Sequence, residues 1–111
     1  MVYLITYGRL RVEEQAQENE TLKRLDAAIK VMGNWSNRIP NCWILETNRM
    51  NAVHIRDQLK QFLTATQGDR LFVARISRNW AGTNMGEGFP EWLKGRDFGT
   101  FTPSNPEQAS S

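Results

Sequence analysis

Few residues in this chain could carry chemistry, and most of them stand apart from one another. Glu13 and Glu14 form an acidic pair in a polar stretch, and carboxylates are the ligands that a hard cation such as magnesium prefers. The simpler interpretation is a solvated charge pair. His54 is the only histidine and Cys42 the only cysteine, so the zinc sites that proteins build from these ligands are not expected. We therefore predict no catalytic residue, no bound metal and no cofactor.

The most suggestive constellation lies near the last predicted strand. Arg78, Asn79 and Trp80 combine a guanidinium, an amide and an indole face, which suits a nucleotide or a single-stranded base. Alternatively, Trp80 packs this loop onto the sheet edge or onto a partner subunit. The run G-T-N-M-G-E-G at 82–88 lacks the lysine and the following helix of a P-loop. We interpret it as a flexible crossing loop.

Length and composition indicate one domain of ordinary size. A chain of 111 residues can bury a core without disulfides, and a single cysteine suits a reducing compartment. No secretory signal pattern opens the sequence, and no apolar run is long enough to span a membrane. We expect a cytoplasmic protein without a membrane partner. The net charge is only +2, but ten of the 14 basic residues are arginine, whose planar guanidinium suits phosphates and base edges.

The elements that must position these residues follow from hydrophobic patterning. Uncharged β-branched, aromatic and leucine residues at 2–7 predict a strand buried on both faces. Residues 9–19 are polar and predict a connector. Apolar residues at steps of three and four predict a helix from about residue 20 to residue 32. A second helix is predicted to begin after Asn51, a good N-cap.

The remaining elements are shorter. Residues 34–39 and 41–47 predict a hairpin, and R-L-F-V-A-R-I predicts a strand at 70–76. Residues 89–94 predict one helical turn. Prolines and small polar residues at 97–111 predict a flexible tail, disordered at least from residue 102.

This order of elements predicts an α+β fold, a ferredoxin-like βαββαβ sandwich at 1–96 with a short C-terminal helix. Two helices cover one face of the sheet, yet Val2 and Leu4 on one face alternate with Tyr3 and Ile5 on the other. The uncovered apolar face predicts a homodimer, packed through the sheet face or the edge strands. The alternative is a face whose aromatic residues stack on single-stranded nucleic acid.

Six segments of the sequence stand in a characteristic order: V-Y-L-I-T-Y at 2–7, N-C-W-I-L-E-T at 41–47, I-R-D-Q-L at 55–59, D-R-L-F-V-A-R-I at 69–76, N-W-A-G at 79–82 and E-W-L-K at 91–94. Together, over roughly residues 2 to 94, they resemble the SinR-family proteins. That bacterial group is related in fold to the small CRISPR-associated adaptation subunit and to the virulence-associated D-type ribonucleases.

The resemblance implies a ferredoxin-like homodimer and, in the nuclease members, metal-assisted cleavage of RNA. In those relatives the first strand ends in Tyr-Asp, and the two aspartates of the paired subunits approach a shared divalent metal. In this chain the matching position is Gly8, which offers no ligand. The aspartate that would support catalysis is therefore missing from this chain.

Three functions remain open from the sequence. The first is a dimeric nucleic-acid-binding protein without nuclease activity, which binds RNA or DNA through phosphate contacts. The second is a metal-dependent endoribonuclease that uses Glu13 or Glu14 in place of the missing aspartate. The third is a small interaction protein that binds a protein or a nucleotide-like ligand. For the first, the predicted contact residues are Arg9, Arg11, Arg38, Arg75, Arg78 and Trp80.

Overall fold

A computed structural model describes residues 1–8, 15–63 and 68–100, with the side chains of α1 described from residue 20. Within these ranges the chain forms four strands and three helices. In chain order they are β1 (Val2–Gly8), α1 (Gln15–Lys30), β2 (Asn34–Ile39), β3 (Cys42–Glu46), α2 (Ala52–Lys60), β4 (Arg70–Ile76) and α3 (Phe89–Lys94).

The strands form one antiparallel sheet in the order β2-β3-β1-β4. The N-terminal strand β1 therefore lies inside the sheet, as its uninterrupted apolar run predicts. The β2–β3 hairpin turns at Pro40 and Asn41, and Asn41 adopts the left-handed conformation with φ 58°. This arrangement confirms the predicted ferredoxin-like fold.

The main core lies between the first face of the sheet and helices α1 and α2. Tyr3, Ile5 and Tyr7 of β1 point to this face together with Trp43 and Leu45 of β3. The helices add an apolar stripe at helical spacing. Its buried members are Leu25, Ile29, Ile55 and Leu59.

The second face of the sheet is partly covered by the chain itself, which corrects the expectation that helices cover one face alone. Phe89, Leu93 and Phe98 pack on Val2 of β1 and form a second buried cluster. Ile44, Ile76, Trp80, Met85 and Trp92 pack against it. Periodicity within α3 cannot reveal this contact, because a six-residue helix is too short to show an apolar stripe. Phe98 is 1% exposed, so the packed part of the chain continues past residue 96.

The other half of the second face has no cover among the described residues. By strand register, Leu4 and Thr6 of β1 share it with Cys42, Phe72 and Ala74, and Ile39 pairs with Cys42. Phe72 is 60% exposed and Ile39 48% exposed. We call these six residues the open half-face.

Both ends of α1 differ from the predicted ones. Helix α1 begins at Gln15 and ends at Lys30, whereas its apolar steps predicted about 20 to 32. Residues 15–19 are polar, so they carry no hydrophobic period, but Gln, Ala and Glu are good helix formers. The predicted disordered tail lies outside the described residues from 101 onward. Within the described ranges, no helix has the length and apolar character needed to span a membrane.

Candidate functional site

The end of β1 is where the family resemblance would lead one to expect a carboxylate, and this chain has Gly8 there. Gly8 pairs in register with Arg70 at the end of β4. A Cβ atom at Gly8 would meet no atom within 4 Å, so the glycine is not required by a close approach. The chain leads directly from Gly8 into residues 9–14, which lie outside the described residues. The predicted contacts Arg9 and Arg11 and the acidic pair Glu13–Glu14 are among them.

The neighbouring Tyr7 ties this end of β1 to helix α1. Its hydroxyl donates to Oδ1 of Asp26 at 2.6 Å and accepts a hydrogen bond from Nε1 of Trp43 at 3.0 Å. Burial raises the pKa of the Tyr7 phenol well above its usual range, and the hydrogen bond to Asp26 raises it further. The phenol therefore stays protonated and acts as a fixed bridge between the sheet and α1.

Arg75 and Arg78 both hold the segment that follows α3. Nη2 of Arg75 donates to the carbonyl oxygens of Phe98 and Thr100 at 2.9 and 3.1 Å. The guanidinium of Arg78 donates to the carbonyls of Lys94 and Arg96 at 3.3 and 3.2 Å, and it lies 4.8 Å from the ring centroid of Phe98. Carbonyl oxygens carry no net charge, so these hydrogen bonds do not neutralise the guanidinium of Arg78.

A carboxylate that was not predicted as a site residue, Glu46, also contacts the segment that follows α3. Glu46, at the end of β3, accepts from Nη1 of Arg96 at 3.3 Å and from the backbone N–H of Asp97 at 2.6 Å. Asn34 donates to it at 2.8 Å. Burial of the Glu46 carboxyl raises its pKa, but these donors and the charge of Arg96 outweigh burial, and the net pKa is lowered.

Arg38 lies at the opposite edge of the sheet from Arg75 and Arg78. It belongs to β2, whereas Arg75 lies in β4, and the two strands are separated by β3 and β1. Three strand spacings correspond to about 14 Å. Nη2 of Arg38 donates to the carbonyl of Glu87 at 3.4 Å. The fold thus brings Arg75 and Arg78 together and keeps Arg38 apart from them.

Trp80 lies half-buried in the second core cluster. Its ring meets Phe89 edge to face, with the centroids 6.5 Å apart. It also lines an open cleft with Gly82, Asn84 and Met85. The packing interpretation of Trp80 therefore describes its main contact, and part of the ring still faces the cleft.

The glycine-rich run connects β4 to α3. Asn84, Gly86 and Gly88 have positive φ angles of 57°, 99° and 85°. A Cβ atom at Gly86 would lie 2.8 Å from Nη1 of Arg38. Glycine at 86 therefore lets this loop approach the β2 edge closely enough for the Arg38–Glu87 contact.

A second groove lies between β2 and α3. It is lined by Trp35 and Arg38 on the β2 side and by Gly88, Phe89 and Trp92 on the α3 side, and Ser36 and Asn37 also line it. We call it the aromatic groove. It was not predicted, because nothing in the sequence indicates that α3 lies beside β2. The available signal was a tryptophan on a short, polar strand with an arginine three residues later.

The only histidine and the only cysteine make ordinary structural contacts. The backbone N–H of His54 donates to the side chain of its N-cap residue Asn51 at 2.9 Å. Cys42 is half-buried, and burial raises the pKa of its thiol. In the part of the chain that the structure describes, no three His, Cys, Asp or Glu side chains lie together as a metal site would require.

The fold and this geometry define a small ferredoxin-like protein. Neither a protein-family model nor a curated protein matches the chain. Among solved structures, it is similar to the crystal structure of Cas2 from Streptococcus pyogenes at pH 6.5, with a TM-score of 0.57 and 18% sequence identity over 72% of this chain and 90% of that one. At this identity the likeness establishes the fold alone. It confirms the predicted relation to the fold of the small CRISPR adaptation subunit.

Proposed function

We propose that this chain is a dimeric nucleic-acid-binding protein of the SinR type, related to the CRISPR adaptation subunit and without nuclease activity. The observation that carries the proposal is Gly8 at the end of β1 in a Cas2-like sheet. The position has room for a side chain, and the chain places none there. The chain keeps the ferredoxin-like scaffold of these relatives, and we propose that this scaffold binds nucleic acid.

The arginines support the binding part of the proposal. Arg38 and Arg78 are exposed, and the carbonyl partners of Arg78 do not neutralise its charge. Arg75 lies beside Arg78 and holds the same segment. Arg9 and Arg11, together with Trp80 at its cleft, complete the proposed contact set. Contacts of guanidinium groups with phosphates give an affinity that tolerates sequence changes and falls with salt.

The open half-face supports the dimer. Phe72 and Ile39 are exposed apolar side chains on the uncovered half of the second sheet face. A second copy placed on this face would bury them, and a two-fold axis would double the number of arginines available to one duplex. The edge strands β2 and β4 remain the alternative route to a homodimer.

The experiment that tests the function is fluorescence anisotropy with labelled single-stranded RNA, single-stranded DNA and duplex DNA at low and high salt. The same samples are then incubated with magnesium and run on a denaturing gel. Binding that falls with salt, with all strands intact, is the expected result. Magnesium-dependent cleavage that Glu13→Ala or Glu14→Ala abolishes would instead establish the endoribonuclease alternative. No binding at either salt would favour an interaction protein.

A further inference from the structure

The cleft beside Trp80 is walled mainly by apolar side chains. Its apolar lining comes from Trp80, Met85, Phe89 and Pro90, and Asn84 adds a polar side chain. We call it the Trp80 cleft. None of its lining residues carries a charge, and its volume of about 490 Å³ lies within the range of about 300 to 1,000 Å³ that is usual for binding sites. The cleft therefore suits an uncharged ligand with apolar surface.

The loop between β4 and α3 shapes one wall of this cleft. Asn84 has φ 57° and Gly86 has φ 99°, and a Cβ atom at Gly82 would lie 2.9 Å from Cγ of Met85. On the other wall, Phe89 is 4% exposed and meets the Trp80 ring edge to face. The Asn84 side chain forms no hydrogen bond within the part of the chain that the structure describes. Its amide can therefore bond to a peptide group of a ligand.

The chain itself contains a segment of matching chemistry. Residues 101–106 read F-T-P-S-N-P, and Glu107 is the only charged side chain from 101 to 111. Pro103 and Pro106 stand three residues apart. The polyproline II conformation has three residues per turn, so this spacing places both rings on the same side of the segment. Such PxxP segments dock into grooves that are lined by aromatic side chains.

This segment begins beside the buried cluster that borders the cleft. The carbonyl of Thr100 accepts a hydrogen bond from Arg75 at 3.1 Å, and Phe98 belongs to the cluster against which Trp80 packs. Arg75 and Trp80 are five residues apart, which limits the separation of their Cα atoms to about 18 Å. A chain of the length of 101–111 spans up to about 36 Å when extended. The tail is therefore long enough to reach the cleft of its own chain.

We propose that the PxxP segment of the C-terminal tail, with Pro103 and Pro106, docks into the Trp80 cleft of the same chain. The polyproline II conformation has no internal hydrogen bonds and needs no core of its own. A segment whose composition predicts disorder is therefore ordered only where the cleft holds it. The covalent tether at residue 100 keeps the segment at a high effective concentration, so a weak contact is sufficient.

The docked tail covers Trp80. The contact of Trp80 with nucleic acid proposed above then requires the tail to leave the cleft, and this consequence alone rests on the proposed function. The docking itself depends only on the chemistry of the cleft and of the tail.

Nuclear magnetic resonance of the full chain tests the docking. The indole N–H of Trp80 and the methyl group of Met85 report on the cleft. The indole N–H of Trp35, which pairs with Leu45 of the main core on the other face of the sheet, reports on the fold. Pro103→Ser combined with Pro106→Ser is expected to shift both cleft signals and to leave the Trp35 signal in place.

A matched control keeps both prolines. Ser104→Ala changes the tail between them and is expected to shift none of the three signals. Cleft signals that stay unchanged in the double-proline variant would overturn the proposal. So would a Ser104→Ala protein whose cleft signals shift as far as those of the double-proline variant.

A peptide with the sequence of residues 101–111 provides the reverse test. Added to the double-proline variant, it is expected to move the signals of Trp80 and Met85 back towards their wild-type positions. The same peptide with both prolines substituted by serine is expected to leave them unmoved. Equal restoration by the two peptides would overturn recognition of the prolines.

A nitroxide label distinguishes the chain's own tail from that of a second copy. Gln108→Cys in a Cys42→Ser background provides one thiol for the label, which is expected to broaden the signals of Trp80 and Met85 strongly, and much less in the double-proline variant. Isotope-labelled chains without the nitroxide, mixed with unlabelled chains that carry it, are expected to keep sharp signals. Equally strong broadening in the mixture would assign the cleft to the tail of a second copy and overturn docking within one chain. None of these readouts uses nucleic acid, so their failure leaves the proposed function standing.

Discussion

Tyr7 on β1 and Asp26 on α1 are joined by a hydrogen bond of 2.6 Å in which the phenol donates to the carboxylate. The same phenol oxygen accepts from the indole of Trp43, whose side chain is almost fully buried. One hydroxyl therefore links the first helix, the central strand and the tryptophan on which Trp35 rests.

Tyr7→Phe removes this link and is expected to destabilise the protein by about 1 to 3 kcal/mol, because the buried Trp43 N–H is left without its acceptor. Chemical denaturation measures the change. Tyr3→Phe is the matched control, since the Tyr3 hydroxyl donates a long hydrogen bond of 3.5 Å to a weak acceptor, Sδ of Met1. An equal loss in both variants would mean that the Asp26–Trp43 link adds nothing.

The raised pKa of Tyr7 predicts how stability falls in alkali. The unfolded chain releases the phenolic proton near pH 10, whereas the folded chain retains it. The contribution of Tyr7 is therefore complete below pH 10 and is lost as the pH rises above that value. Denaturation midpoints measured through this range should fall less steeply for Tyr7→Phe than for wild type. Parallel curves would contradict the assignment.

The lowered pKa of Glu46 predicts the opposite dependence in acid. Its contribution is present above the usual carboxyl value of 4.5 and is lost as the pH falls towards the lower folded value. Glu46→Gln is expected to cost about 1 to 2 kcal/mol at neutral pH, because a charged acceptor of several hydrogen bonds is lost. Its stability should then vary less between neutral and acidic pH than that of wild type. Thermal unfolding at several pH values measures both effects, and an unchanged acid dependence would contradict them.

Two glycines differ in what a side chain would meet. Gly8→Ala places a methyl group in open space and is expected to change stability by less than about 0.5 kcal/mol. Gly33→Ala drives a methyl group into the backbone carbonyl of Glu46 and is expected to cost about 1 to 3 kcal/mol. Urea denaturation of both variants checks the contrast. A large loss in Gly8→Ala would show that the glycine is structural, and its use as an argument against catalysis would fail.

Phe72→Lys tests the open half-face as the dimer interface. A charge in the middle of an apolar contact between two copies is expected to shift the protein to monomers while the fold persists, since Phe72 is 60% exposed. Sedimentation equilibrium measures the mass. Val31→Lys adds the same charge at a site that is 76% exposed at the end of α1, and it should leave the dimer intact. A dimeric Phe72→Lys protein would move the interface to the edge strands.

Much of this fold can be predicted from local patterns. The strand at 70–76 and the short helix at 89–94 have the predicted bounds. The N-cap Asn51 accepts the hydrogen bond expected of it. These features depend on neighbours a few residues apart. The first turn of α1 was missed because residues 15–19 are helix-forming but not amphipathic.

The site was harder to predict, because its features depend on contacts between distant segments. The sequence pattern predicted Trp80, and not Trp35, as a contact residue, because Trp80 stands beside an arginine and an asparagine. Only the return of the chain across the second face buries part of Trp80 and forms a groove beside Trp35. The hydrogen bonds of Arg75 and Arg78 to the segment after α3 also depend on contacts between distant parts of the chain. Their partners are the backbone carbonyls of residues 94 to 100, which side-chain patterns cannot reveal.

The proposed function requires that two copies of this chain bind nucleic acid without cleaving it. Sedimentation velocity of a labelled DNA duplex, in the presence of the protein and magnesium, tests binding, stoichiometry and strand integrity together. The expected result is a complex of one duplex with a protein dimer at low salt, and the intact free duplex at high salt. A duplex that sediments alone at both salt concentrations, or that is shortened in the presence of magnesium, would contradict the proposal.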